Sequence, residues 1–238
     1  MQDNNQIIIA LDMDDHKQVL SLVKQLDPAR CRLKIGKELF TSFGPKLVKK
    51  LQKLGFDIFL DLKFHDIPNT VYKAVKAACE LDVWMLTIHS SGGSEMLRAA
   101  RTAVDESEHK PLLIAVTVLT SLSDKDMAEQ GIQRSAAEQV LRLASLAQQN
   151  GMDGVVCSAE EVPSIRRLLS KSFVLVTPGI RPAGDEAQDQ KRVVTPRDAI
   201  SAGSDFLVIG RPITRARKPA EKLNLILDEI SGTGAVLC

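Results

Sequence analysis

The segment "FLDLKFHDIPNT", residues 59–70, sets Asp61, Lys63, His65 and Asp66 at the end of an apolar run. In an extended strand, residues two apart face the same way, so Asp61 and Lys63 are predicted to project together while Leu60 and Leu62 face the other side. An ammonium flanked by carboxylates is favoured in its charged form. That suits a proton donor or an electrostatic stabiliser, not a neutral Schiff-base amine. Asp12 ends another strand-like run, and Lys34 lies two residues before the end of a third. Where all four meet, two acids and two lysines make a patch of zero formal charge in which each ion has an opposite neighbour. A structural salt-bridge network and a catalytic array both fit such a patch. His65 and His89 read as hydrogen-bonding residues. Asp, Lys and His do not assemble here into the three-ligand set of a catalytic metal site, and no metal is expected, although a carboxylate-bound Mg²⁺ also suits these residue types.

A second feature would hold an anion. "VIGRPIT", residues 208–214, ends a strand-like run with Gly210 and Arg211, and a long loop carries Arg181 and Gln190. Glycine lets a ligand approach the backbone closely, and arginine supplies a forked donor that matches phosphate. A turn glycine beside a surface arginine is the plainer reading of the pair alone.

These groups need a frame that gathers strand ends. Eight short apolar runs end at Asp12, Gly36, Lys63, His89, Leu119, Ser158, Gly179 and Gly210. Helical periodicity separates them at residues 15–26, 46–54, 68–80, 93–105, 134–149, 160–169 and 196–202, and returns at 219–230. Eight strand–helix units predict a (β/α)8 TIM barrel, with reactive groups on the loops at the carboxyl ends of the strands. A doubly wound open sheet is the competing architecture, but no G-x-G-x-x-G follows the first strand. The region after strands seven and eight, where "VIGRPIT" falls, is where barrels often hold phosphate. Two loops, "TSLSDKDMAEQGIQ" and "PGIRPAGDEAQDQKRVV", are long enough for lids or binding loops. No linker or composition shift divides the chain, so residues 1–238 are expected to form one domain.

Composition excludes several classes. Lysine and arginine number 31 against 30 aspartates and glutamates, so no bulk positive field is available for nucleic acid. One Trp and one Tyr cannot build a base-stacking platform. The cysteines at 31, 79, 157 and 238 lack metal or redox spacing and read as reduced thiols. "MQDNNQIIIALD" has no basic flank and too short an apolar run for a signal peptide or membrane span, so a cytoplasmic address is expected.

Taken together, "LKIG", "DLKFHDIPNT" with its D-x-K-x-x-D core, "TVLTS", "TPGIRP" with "DQKR", and "VIGRPIT" resemble the orotidine 5′-phosphate decarboxylase family, from about Ile7 to Ile230. The resemblance implies a cofactor-independent decarboxylase that makes uridine 5′-phosphate (UMP) for pyrimidine biosynthesis. It implies that Lys34, Asp61 and Lys63 form the charged array, with Asp12 on the ribose, Ile67, Pro178, Thr120 and Ser121 at the nucleotide, and Arg181, Gln190, Gly210 and Arg211 at the phosphate. It also implies a homodimer in which Asp66 and Thr70 complete the neighbouring subunit's site. A metal-dependent sugar-phosphate decarboxylase or aldolase is the rival, since such enzymes share D-x-K-x-x-D on the same barrel. A non-catalytic nucleotide-binding barrel is the second rival, though it has no need of both lysines and all three acids.

Overall fold

A computed structural model describes residues 5–182 and 194–232. Along the chain, β1 (Ile7–Ala10), α1 (His16–Val23), β2 (Arg32–Gly36), α2 (Lys37–Gln52), β3 (Ile58–Phe64) and α3 (Pro68–Cys79) come first. They are followed by β4 (Met85–His89), α4 (Gly93–Asp105), β5 (Leu112–Val116), α5 (Asp124–Glu129), α6 (Ala136–Gln149) and β6 (Gly154–Val156). The chain continues through α7 (Val162–Leu168), β7 (Val174–Thr177), α8 (Pro196–Ala202), β8 (Phe206–Ile209), α9 (Arg211–Thr214) and α10 (Pro219–Ser231). The strands pair in parallel, each with its sequence neighbour, and β8 pairs back to β1 to close the barrel.

Closure makes two hydrophobic layers out of alternate residues. Ile7, Ile9, Leu33, Ile35, Ile58 and Leu60 point outward and are buried beneath the helices. Ile8, Ala10, Phe59, Met85, Ile114, Val176 and Val208 fill the interior. Each large aliphatic side chain buried this way contributes about 1.5–3 kcal/mol, so the packed wall and plug form a rigid base for the rim. Gly154 allows one close approach in that wall, because a Cβ there would lie 2.1 Å from the Val174 carbonyl oxygen of the adjacent strand.

The structure departs from the sequence expectations at several points. The helix expected at 46–54 begins at Lys37, and Gly44 interrupts it at φ 58° before Pro45 starts the second stretch. Proline pre-sets helical φ at a first-turn position, while a left-handed residue ends the turn before it, so the two helical stretches join across a kink. The long loop after β5 contains the short helix α5, capped by a reciprocal Ser123–Asp126 box. Strand β3 also carries a bulge between Leu60 and Phe64.

The amino ends of the strands carry an unexpected plug. Arg32 faces inward and is buried, 4.2 Å from the Trp84 ring centroid and 5.3 Å from that of Phe206. Its Nε donates to Asp57 Oδ2 at 3.2 Å. Cys31, Cys79 and Cys157 are free and buried; burial, then the charge of Asp27, pushes the Cys31 thiol up to about 12. All three lie in the core, and Cys238 lies outside the described residues.

Candidate active site

Strand register brings the charges together. Ala10 of β1 pairs with Lys34 of β2, Lys34 with Phe59 of β3, and Gly36 with Asp61, so the inward positions rise in steps around the barrel. From its buried position the Lys34 stem reaches up to the rim. Its Nζ donates to Asp12 Oδ1 at 3.1 Å and stands 3.4 Å from Asp61 Oδ2. Lys63 Nζ lies 2.8 Å from both carboxylate oxygens of Asp61. Asp61 therefore sits between two ammonium groups, with Asp12 balancing Lys34, the more deeply buried of the two.

Regular alternation does not deliver Lys63 to this position. In the β3–β4 register Leu60 pairs with Leu86 but Phe64 pairs with Ile88, so β3 spends four steps where β4 spends two. The extra residues form a bulge, and Lys63 adopts φ 52°, a left-handed conformation uncommon outside glycine. Asp61 and Lys63 both reach the mouth, and Leu60 and Leu62 both pack against the outer layer, as predicted. The reason is different: a kinked backbone re-aims the lysine.

Burial alone would raise the Asp61 pKa, but Lys34, Lys63 and hydrogen bonds from Lys63 and Thr87 more than offset it and hold the carboxyl below its ordinary range. Burial would lower Lys34, yet the Asp61 and Asp12 carboxylates outweigh it and hold the ammonium above the ordinary lysine value. Each ion keeps the other charged, as the electrostatics of a desolvated but paired cluster require. His89 behaves oppositely. Desolvation, then the charges of His65, Lys37 and Lys63, lower it to about 4, and its ring stands 5.4 Å from that of His65.

Above Asp61 and Lys63 opens a cavity of about 450 Å³. Ala10, Phe59, Val116, Val156, Val176 and Val208 make its apolar floor, and Asp12, Lys34, Thr120, Pro178, Arg181, Gly210 and Arg211 line the rest. Arg181 is buried, with a guanidinium N–H donating to the Ile180 carbonyl at 2.9 Å. The cavity thus has one anionic-and-cationic wall and a separate cationic end at the carboxyl edge of β7 and β8. A ligand with an apolar planar body and a remote anion matches this layout.

Not every expected residue joins the cavity. Ser121 is exposed and absent from its lining. Asp66, Ile67 and Thr70 are exposed at the start of α3, where Asp66 Oδ1 accepts the Ile67 N–H at 2.6 Å; none lines the cavity of its own chain. Gln190 lies outside the described residues. Two residues went unnoticed in the sequence. Arg215, just past α9, lines the cationic end. Thr87 is fully buried in β4 and bonds both Asp61 and Lys63. The first could have been found from its spacing of four after Arg211; for the second no sequence signal exists. Among the described residues, no group of three or more His, Cys, Asp or Glu is placed to hold a metal ion. No helix among them is long and apolar enough to cross a membrane.

Comparison with known proteins gives the same direction. A model of the Orotidine 5′-phosphate decarboxylase / HUMPS family matches residues 5–226. The chain is 59% identical over 226 residues to the orotidine 5′-phosphate decarboxylase of Saccharophagus degradans, covering 95% of each chain. It is 58% identical to that of Hahella chejuensis, covering 94% of this chain and 96% of the relative. Among solved structures, the crystal structure of orotidine 5′-phosphate decarboxylase from Lactobacillus acidophilus superposes with a TM-score of 0.85 at 41% identity, over 95% of this chain and 99% of the other.

Proposed function

Since the chain belongs to the Orotidine 5′-phosphate decarboxylase / HUMPS family, we propose that it converts orotidine 5′-phosphate to UMP and CO₂ in pyrimidine biosynthesis, as one barrel domain acting in the cytoplasm. The observation that carries this reading is the Lys34–Asp61–Lys63 array, with the Lys63 ammonium 2.8 Å from Asp61, facing a cavity whose far end is cationic.

In this reading the 5′-phosphate binds at Arg181, Gly210 and Arg211, with Gln190, which follows β7 in sequence, contributing a further contact. Asp12 accepts from the ribose hydroxyls, and the pyrimidine lies on the apolar floor with its edge towards Thr120, beside Pro178. The carboxylate is then directed at Asp61 and Lys63. Breaking the C6–carboxyl bond leaves the electron pair on C6, where no carbonyl is placed to take it up as a simple enolate. The protein must meet that charge with a fixed one, and the Lys63 ammonium is already oriented and needs little reorganisation. Its proton passes to C6, and the amine regains a proton from solvent. Asp61 aims the ammonium and opposes the substrate carboxylate at close range. Phosphate contacts far from C6 supply binding energy that holds the substrate against this repulsion.

Asp66, Ile67 and Thr70 take their roles across a homodimer, where Asp66 of the partner subunit completes the acidic side of the array and Thr70 of the partner subunit meets the ribose. Their exposure beside the rim, outside their own chain's cavity, supports that assignment.

The test is direct. The purified protein is mixed with orotidine 5′-phosphate in the presence of EDTA, the pyrimidine absorbance is followed and UMP is identified chromatographically. Turnover undiminished by the chelator is expected; no UMP, or activity that returns only with Mg²⁺, overturns the reading.

A further inference from the structure

We propose that Thr87 is a positioning residue for this reaction: one buried hydroxyl fixes both the left-handed backbone of Lys63 and the orientation of the Asp61 carboxylate. The proposal rests on the decarboxylase reading above.

Thr87 lies in the middle of β4 with no exposed surface. Its Oγ1 accepts the backbone N–H of Lys63 at 2.9 Å and donates to Asp61 Oδ1 at 3.0 Å. A threonine hydroxyl carries one proton. Once that proton is given to the carboxylate, the oxygen is left to accept the Lys63 amide, so the two bonds have a single consistent direction. The bulge takes residues 61–63 out of the β3–β4 register, and the Lys63 N–H finds a side chain in place of a ladder partner. A left-handed conformation at a residue with a Cβ persists only where its surroundings hold it. Thr87 does that at the residue whose ammonium must be aimed, while fixing the carboxylate that aims it. It does not line the cavity, so any influence on the reaction passes through Asp61 and Lys63.

The competing role is ordinary: a β-branched residue filling a strand interior. Valine has the same shape without the hydroxyl, and serine keeps the hydroxyl without the methyl. Thr87→Val is expected to lower kcat for orotidine 5′-phosphate by about 10- to 100-fold, the effect of losing a hydrogen bond to a charged group. The dissociation constant for UMP should stay within about twofold, because the phosphate and ribose contacts are untouched. Thr87→Ser should recover most of the turnover. The acid limb of kcat/KM should also move to higher pH in Thr87→Val, since the carboxylate of Asp61 loses a donor that favours its charged form. The charges facing Asp61, namely Lys34 from β2, Lys63 on β3, His89 on β4 and Asp12 beyond β1, are the same in both proteins.

Wild-type turnover in Thr87→Val, equal losses in the valine and serine variants, a fall in UMP affinity as large as the fall in kcat, or an unmoved acid limb each overturn the proposal. Should the valine variant fail to fold, Thr87→Ala removes the hydroxyl without adding bulk and is read by the same outcomes. Absence of turnover in the wild-type protein overturns the decarboxylase reading instead, whereas loss confined to the variants bears on Thr87 alone.

Discussion

Lys63 Nζ stands 2.8 Å from each carboxylate oxygen of Asp61, across a backbone that turns left-handed at Lys63 itself. Two residues that a regular strand would set side by side are brought together by a bulge, so the contact depends on a conformation that lysine does not favour. Catalytic sites often hold such residues, because the surrounding fold can maintain a geometry that local preferences oppose.

This conformation separates activity from stability at one position. Lys63→Ala is expected to lower turnover by at least about 10⁴-fold, the combined scale of lost electrostatic stabilisation and lost proton donation. UMP binding should remain measurable by calorimetry. Lys63→Gly should be equally inactive yet more stable than Lys63→Ala by about 1 kcal/mol in denaturant unfolding, because glycine adopts φ 52° without a Cβ penalty. Equal stability of the two variants would contradict the left-handed assignment.

The pKa of His89 predicts a pH dependence. Its pKa falls from 6.5 to about 4 on folding, so the unfolded chain binds the proton more readily over that interval. The corresponding stability is present above about pH 6.5 and is lost as pH falls towards 4. Thermal melts of His89→Gln should show a shallower decline across this window than wild type. An unchanged slope would mean that other groups carry it.

Arg215 tests the breadth of the cationic end. Its side chain is exposed, and an exposed ion pair is worth only a few tenths of a kcal/mol to about 1 kcal/mol, so Arg215→Ala should weaken UMP binding about two- to fivefold. Uridine, which lacks the phosphate, should bind both proteins alike, and the difference should shrink at high salt. Parallel losses for UMP and uridine would place the effect elsewhere.

At the opposite end of the barrel, Arg32 should matter to stability and not to turnover. Arg32→Ala removes a buried side chain stacked on Trp84 and Phe206, and leaves Asp57 free to take water because its side chain is 54% exposed. A loss of about 1–3 kcal/mol in denaturant unfolding is expected, with kcat unchanged in the folded fraction.

Periodicity alone was enough to place eight strands and most of the helices, since each βα unit carries its pattern locally and parallel strands joined by helices close in few ways. The rim residues Asp12, Lys34, Asp61 and Lys63 were legible for the same reason: they fall in the carboxyl halves of runs whose carboxyl edge faces one side. Local pattern says nothing about an interruption in pairing. The β3 bulge, the left-handed turn at Lys63 and the hydroxyl of Thr87 depend on how two strands align, and in sequence Thr87 is only a β-branched residue in a strand. Arg32 and Arg215 were likewise ordinary charges until closure set one between two rings and the other beside the cavity. Short-range chemistry chose the elements; the register between them, decided by burial across the whole barrel, chose which atoms meet.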